Sequence, residues 1–100
     1  DNNGSTTTHQ PAAAFSYPNP FNPSTNIMYN LQEKSDVEII IYNALGIIMK
    51  EYTITSQVPG DHSIQWNAVS HQGYAIPAGI YVYTVKTNLK RLSGKMIFIK

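Results

Sequence analysis

The sequence predicts an all-β fold, an immunoglobulin-like antiparallel β-sandwich of about seven short strands. Three observations support this prediction: apolar residues recur with a period of two, turn-forming residues separate the apolar runs, and no helical period is present. The length of 100 residues suits a single domain. The composition, 42% hydrophobic and 13% charged, is typical of a chain that folds around a core.

The N-terminal segment, residues 1–14, is predicted to be a flexible linker, because it is rich in Asn, Thr, Ser and Ala and carries almost no large apolar side chain. The folded domain is predicted over residues 15–100. It opens with YPNPFNPST at residues 17–25. Since proline removes backbone donors and keeps the preceding residue extended, this segment cannot form a helix or a central strand. We expect a stiff edge segment whose aromatic side chains, Tyr17 and Phe21, plug one end of the sandwich.

The predicted strands follow in order, each recognised by the alternation of apolar and polar residues. They cover residues 26–31, 37–42, 47–54, 62–67, 80–87 and 95–100. The run 37–42 is apolar on both faces beyond its first residues, which predicts a central strand. In the run 80–87, Tyr81, Tyr83 and Val85 share one face. Turn-forming residues fill the gaps at 32–36, 43–46, 59–61, 70–73, 77–79 and 88–94.

The charge balance argues against nucleic acid as a partner, because the net charge is only +1 and a nucleic-acid site needs a basic face. A loose group of cations near the C-terminus is interpreted as a solvated edge. Its members are Lys86, Lys90, Arg91, Lys95 and Lys100. The longest mostly apolar run, 37–49, is interrupted by Glu38, Asn43 and Gly46 and is too short to span a bilayer. The absence of cysteine excludes disulfides and thiolate chemistry.

The sequence contains no convincing catalytic constellation. His9 lies in the linker and His71 in a polar turn. His62 lies on the apolar face of the Trp66 strand, where a satisfied core or edge histidine is the favoured interpretation. We therefore predict that the domain is not an enzyme, and we assign no catalytic, cofactor-binding or metal-binding residue.

Two binding alternatives stay open. The carboxylates of Asp36, Glu38 and Asp61 allow a weak calcium site, although calcium loops usually concentrate more oxygen ligands. A sugar-stacking strip is the second alternative, and cross-strand packing is the competing interpretation of the same side chains. The tyrosines concerned are Tyr42, Tyr52 and Tyr74.

Five segments, in this order, resemble the C-terminal sorting domains of type IX (Por) secretion substrates of Bacteroidetes and their relatives. They are YPNPFNPST at 17–25, IYNALG at 41–46, GDHSIQW at 60–66, GYAIPAGIYVY at 73–83 and KMIFIK at 95–100. The resemblance covers residues 15–100, and it departs from the family in the turn after Trp66, which is less acidic here. Related immunoglobulin-like folds with this pattern occur in flagellar hook-capping proteins and on bacterial extracellular enzymes.

The resemblance implies a non-catalytic sorting and anchoring domain that directs a secreted cargo protein across the outer membrane to the cell surface. The cargo would be an N-terminal domain of the parent chain. The partners would be the outer-membrane secretion translocon and a sortase-like peptidase that cleaves in the linker. No cofactor is implied, and the location would be secreted or on the cell surface, reached through the periplasm. The alternative is an accessory carbohydrate-binding or adhesive module of an extracellular enzyme, and a hook-cap type of assembly domain is a third possibility.

The resemblance also implies roles for particular residues. The terminal segment would form part of the signal that the translocon recognises, through Lys95, Met96, Ile97, Phe98, Ile99 and Lys100. The other motif residues would be structural. They are Pro18, Asn19, Pro20, Phe21, Asn22, Pro23, Asn43, Gly46, Gly60, His62, Trp66, Gly73, Pro77, Gly79, Tyr81 and Tyr83.

Overall fold

A computed structural model of the protein describes residues 13–100. The predicted linker over residues 1–14 lies outside the described residues, except for its last two positions. Seven strands pair antiparallel and form two sheets, which confirms the predicted all-β sandwich. The described residues include no helix that is long and apolar enough to cross a membrane.

Six of the strands follow the order expected from the alternating pattern, whereas β1 was not predicted and begins at Ala14, within the predicted linker. The seven strands are β1 (Ala14–Tyr17), β2 (Thr25–Leu31), β3 (Ser35–Asn43), β4 (Ile48–Gln57), β5 (Gly60–Trp66), β6 (Gly79–Lys86) and β7 (Arg91–Phe98). One sheet has three strands in the order β1-β2-β5, and the other has four in the order β4-β3-β6-β7. Strand β3 therefore lies between two neighbours, as its apolar residues on both faces predicted.

The core lies between the two sheets and is built from alternate residues of each strand. The three-stranded sheet contributes chiefly Ile27, Tyr29, Leu31 and Trp66. The four-stranded sheet contributes chiefly Val37, Ile39, Ile41, Tyr81, Tyr83, Val85, Met96 and Phe98. The face of β6 that Tyr81, Tyr83 and Val85 share is the inward one.

The start of β7 differs from the prediction. We expected a break over residues 88–94, but the strand begins at Arg91 because the β6–β7 turn is compact, with Thr87 N donating to Lys90 O at 2.8 Å. Gly94 pairs with Tyr83 across the two strands. A Cβ atom on Gly94 would overlap the Tyr83 ring, so this glycine leaves room for an inward tyrosine rather than forming a turn.

Candidate functional site

The opening segment, which joins β1 to β2, lies along the free edge of β7. The backbone of Phe21 forms a parallel bridge to Phe98. Phe21 N donates to Ile97 O at 2.9 Å, and Ile99 N donates to Phe21 O at 3.0 Å. The side-chain amide of Asn19 continues this ladder, because its Nδ2 donates to Lys95 O at 2.9 Å and its Oδ1 accepts from Ile97 N at 2.9 Å. The edge of the last strand is therefore occupied over its final residues.

The three prolines explain why this pairing stops where it does. They are Pro18, Pro20 and Pro23. Each lacks an N–H group, so the segment pairs with β7 only through Asn19 and Phe21, while Asn22 is exposed. Thr25 is fully buried and closes the segment, since its Oγ1 donates to Pro18 O at 2.8 Å.

The expectation that aromatic side chains of this segment plug the sandwich is confirmed for Phe21 and wrong for Tyr17. Phe21 is 1% exposed and packs in the core. Tyr17 is 67% exposed. Its position in β1 explains the difference, because the alternation of that strand turns Tyr17 away from the core.

Four of the five motif segments meet around Phe21 at one end of the sandwich. The Phe21 ring stacks on Phe98 with centroids 5.1 Å apart and lies 5.8 Å from Trp66. Trp66 in turn meets Tyr81 edge-on at 5.5 Å. The polar groups of these rings are satisfied by the backbone: Trp66 Nε1 donates to Val69 O at 2.9 Å, and Tyr81 OH donates to Pro77 O at 2.5 Å. The second bond is the tyrosine corner found in immunoglobulin-like sandwiches.

The fifth motif segment forms the β3–β4 turn. Asn43 Oδ1 accepts from Leu45 N at 2.9 Å and from Ile47 N at 3.0 Å, so one side chain holds the turn together. Gly46 has a φ of +85°, which favours glycine. The other motif glycines lie at turns and strand starts, with Gly60 opening β5, Gly79 opening β6 and Gly73 N donating to Ser70 O at 2.9 Å.

His62 is a satisfied edge histidine, as its pattern predicted. Its ring lies 5.7 Å from the ring of Tyr29, its partner across β2 and β5. Its Nε2 is 2.7 Å from Val58 O and must donate, since a carbonyl oxygen only accepts. This bond places a proton on Nε2, and the ring is packed against a core residue.

The terminal segment is divided between the core and the surface. Met96 and Phe98 are 0% and 6% exposed and belong to the core. Ile97 and Ile99 point the other way and are 37% and 49% exposed, and Lys95 is also exposed. The ammonium group of Lys100 lies 5.9 Å from the centroid of the Phe98 ring. Only part of the segment that the resemblance assigns to recognition can therefore touch a partner.

The exposed side chains of β7 join a larger surface on the outer face of the four-stranded sheet. Register partners share a face of a sheet. The pairs are Ile80 with Ile97, Val82 with Lys95, Tyr42 with Val82, and Tyr42 with Ile48. We call these six residues the outer patch. Sequence reasoning did not find it, because its members come from four strands and only the register brings them together.

The structure does not bring together the residues of either binding alternative, in contrast to the motif segments. Asp36 and Glu38 lie on β3, whereas Asp61 lies on β5 in the other sheet, and residues 13–100 hold no group of three His, Cys, Asp or Glu side chains placed to bind a metal. The tyrosine strip is wrong as an arrangement. Tyr52 faces inward opposite Ile39 and packs against the core, whereas the Tyr42 ring belongs to the outer patch. Tyr74 is in the loop between β5 and β6.

Comparison with known proteins places the chain among immunoglobulin-like domains. Residues 22–90 match the family described as FlgD Ig-like domain. No curated protein sequence matches the chain. Among solved structures, dimeric latent PorU from Porphyromonas gingivalis is similar over 88% of this chain and 9% of its own, with a TM-score of 0.67 and 22% identity.

Two further structures are similar. FlgD from P. aeruginosa is similar over 74% of this chain and 59% of its own, with a TM-score of 0.60 and 20% identity. PorZ, described as an essential surface component of the type-IX secretion system of P. gingivalis, is similar over 87% of this chain and 11% of its own, with a TM-score of 0.60 and 22% identity. At these identities the likeness shows the fold, and the chain spans only part of each of these proteins.

Proposed function

We propose that this chain, which belongs to the FlgD Ig-like domain family, is a non-catalytic sorting and anchoring domain of a type IX secretion system. It directs an N-terminal cargo protein across the outer membrane to the cell surface. Its partners are the outer-membrane translocon and a sortase-like peptidase that cleaves in residues 1–14. The likeness to PorZ, a surface component of such a system, agrees with this location.

The observation that most supports the proposal is the union of the two segments of the resemblance that lie furthest apart in the sequence. Asn19 and Phe21 of the first segment hold the backbone of Lys95, Ile97 and Ile99 in the last. The terminal segment is thus held in a fixed conformation on the domain. The aromatic side chains that carry polar groups are used in the packing of the domain itself. Such an arrangement suits recognition by a partner protein.

A fusion tests the proposal. We would place residues 1–100 behind a signal peptide and a fluorescent protein, in a bacterium with an active type IX system and in the same strain with that system inactivated. The expected result is a reporter on the surface or in the medium of the active strain only, cut near residues 1–14. A reporter that stays in the periplasm of both strains, with the domain folded, would refute the proposal.

Deletion of residues 95–100 is a poorer first test. It removes Met96 and Phe98, which are core residues, together with the partner of the Phe21 ring. Loss of export would then follow from unfolding as readily as from loss of a signal. Substitutions that spare the inward side chains separate these two causes.

A second candidate function, binding of an uncharged glycan, is favoured by the outer face of the three-stranded sheet. Phe15 and Tyr17 stand side by side on β1 and are 56% and 67% exposed. Phe15 lines a groove of about 620 Å³, whose lining also includes Met28, Asn30 and Asp61. Asn30 Nδ2 donates to Asp61 Oδ1 at 2.8 Å, which leaves the other carboxylate oxygen and the amide oxygen free to accept from hydroxyl groups. Aromatic walls with a few fixed polar groups suit a sugar ring.

Affinity electrophoresis of the 100-residue chain tests the second candidate. Gels would contain xylan or hydroxyethyl cellulose. Retardation that Phe15→Ala lowers by about fivefold in association constant, and that Tyr74→Ala leaves unchanged, is the expected result, since loss of a stacked aromatic ring costs on the order of 1 kcal/mol. Tyr74 is the matched control because it is 72% exposed and lies outside this face. Unretarded migration in both polysaccharides would remove the candidate.

A further inference from the structure

We propose, resting on the proposed function, that the receiving partner recognises the outward side of the last strand through the outer patch. The partner presents an apolar surface bordered by carboxylates. The edge of the chain over residues 95–99 and the inward side chains of β7 take no part in this contact.

The edge of β7 is occupied from Lys95 onward, because the backbone groups there already have partners. On one side, β6 pairs with β7 from Gly79 opposite Phe98 to Lys86 opposite Arg91. On the other side, Asn19 and Phe21 occupy four groups: Lys95 O, Ile97 N, Ile97 O and Ile99 N. A partner strand can add only to free N–H and C=O groups. Strand addition along residues 95–99 would first have to displace the opening segment, together with the buried Phe21 ring.

The inward side chains are also unavailable. Met96 is 0% exposed and Phe98 is 6% exposed. The Phe98 ring is covered by Phe21 on one side and approached by the Lys100 ammonium group. A partner that acts on the folded domain therefore meets Lys95, Ile97 and Ile99 and the strands beside them.

The outer patch has the composition of an interface rather than of a solvated sheet face. Its three isoleucines, Ile48, Ile80 and Ile97, are 45%, 47% and 37% exposed. Leu45 and Ile47, in the adjoining β3–β4 turn, are 84% and 56% exposed and extend the apolar surface. Contiguous exposed apolar residues of this kind mark protein contact sites.

Charge on the same face defines the partner further. Lys95 lies within the outer patch. Lys86 and Arg91 lie opposite each other further along β6 and β7. The carboxylates of this face, Glu38 and Glu51, lie on β3 and β4. Glu38 lies directly opposite Lys86. The cations of β6 and β7 without a cross-strand carboxylate are therefore Lys95 and Arg91, and a complementary partner needs carboxylates beside them.

Substitutions in the reporter fusion test the proposal. Ile97→Thr keeps a β-branched side chain and removes apolar surface, and Lys95→Glu reverses the charge. Val58→Thr is the matched control for the first, because Val58 is 60% exposed and outside the patch. Lys90→Glu is the matched control for the second, since it changes the net charge equally on the β6–β7 turn. We expect the two patch variants to lower the exported fraction about tenfold, as loss of an interface hot spot does, while the controls export like the parent fusion.

The outcomes separate this inference from the proposed function. Thermal unfolding of each purified variant confirms that the domain is folded. Export of the parent fusion together with normal export of Ile97→Thr and Lys95→Glu would overturn the inference and leave the proposed function standing. Retention of the parent fusion itself would overturn both. Sedimentation of the purified chain tests whether a second copy of the chain binds the outer patch. Self-association that both patch variants abolish would assign the outer patch to a second copy and also overturn the inference.

Discussion

Replacing Asn19 with alanine is expected to free two backbone groups at the edge of β7 without disturbing the core. The Asn19 side chain holds Lys95 O and Ile97 N, each at 2.9 Å, at an exposed position. The substitution therefore removes two hydrogen bonds and no buried apolar surface. Each such bond contributes about 0.5–1.5 kcal/mol net, so the free energy of unfolding should fall by about 1–3 kcal/mol, towards the lower end because water can replace the amide. For a domain of this size, each kcal/mol corresponds to a fall of about 4–8 °C in Tm.

Two measurements check this prediction. Urea unfolding can be followed by the fluorescence of Trp66, the single tryptophan, which lies 5.8 Å from the Phe21 ring. Amide hydrogen exchange then locates the effect: Ile97 N–H should lose protection, whereas Ile99 N–H, which donates to Phe21 O, should keep it.

Asn19→Asp is the matched control, because a carboxylate still accepts from Ile97 N but cannot donate to Lys95 O. We expect an intermediate loss of stability and retained protection at Ile97. Unchanged urea midpoints and unchanged Ile97 exchange in both variants would refute the idea that Asn19 completes the edge of β7.

Three further predictions concern the core and its titration. Gly94→Ala should lower stability by about 1–3 kcal/mol in urea unfolding, because the new methyl group overlaps the Tyr83 ring; equal midpoints would contradict the close approach. Tyr81→Phe should cost about 1–2 kcal/mol, measured in the same way, since Pro77 O loses its donor. Stability measured against pH should fall as pH rises above about 10, because burial raises the pKa of several tyrosines in the folded state and the unfolded chain loses these protons first. The tyrosines are Tyr29, Tyr52, Tyr81 and Tyr83. A stability that rises above pH 10 would contradict this last prediction.

The strands could be predicted from the sequence because the alternation of apolar and polar residues within each strand separates its two faces. The alternation in β6 placed Tyr81, Tyr83 and Val85 on one face before any partner strand was known, and that face lies in the core. The run of apolar residues on both faces of β3 likewise indicated a strand with two neighbours. Both inferences depend only on neighbours in the chain.

Features that depend on contacts distant in sequence could not be predicted. Gly94 looked like a turn residue because nothing nearby shows that Tyr83 lies over it. Asn19 is separated from Ile97 by 78 positions, so its role as a substitute for a strand backbone is invisible in the sequence. The outer patch was missed for the same reason, as it depends on the register of β3, β4, β6 and β7.

The dependence of the outer patch on the fold leads to one more prediction. The Phe21 ring is 1% exposed and packs on Phe98 and Trp66, so Phe21→Ala should lower stability by about 3–5 kcal/mol, a large part of the 5–15 kcal/mol typical of a domain. The substitution leaves every residue of the patch and of the terminal segment unchanged. On the proposed function, export of the reporter fusion should therefore fail above the Tm of this variant and return below it, since only the folded sheet aligns Ile97 with Ile80. Export that continues above that Tm would show that the partner recognises residues 95–100 as a linear peptide, because unfolding removes the alignment but not the sequence.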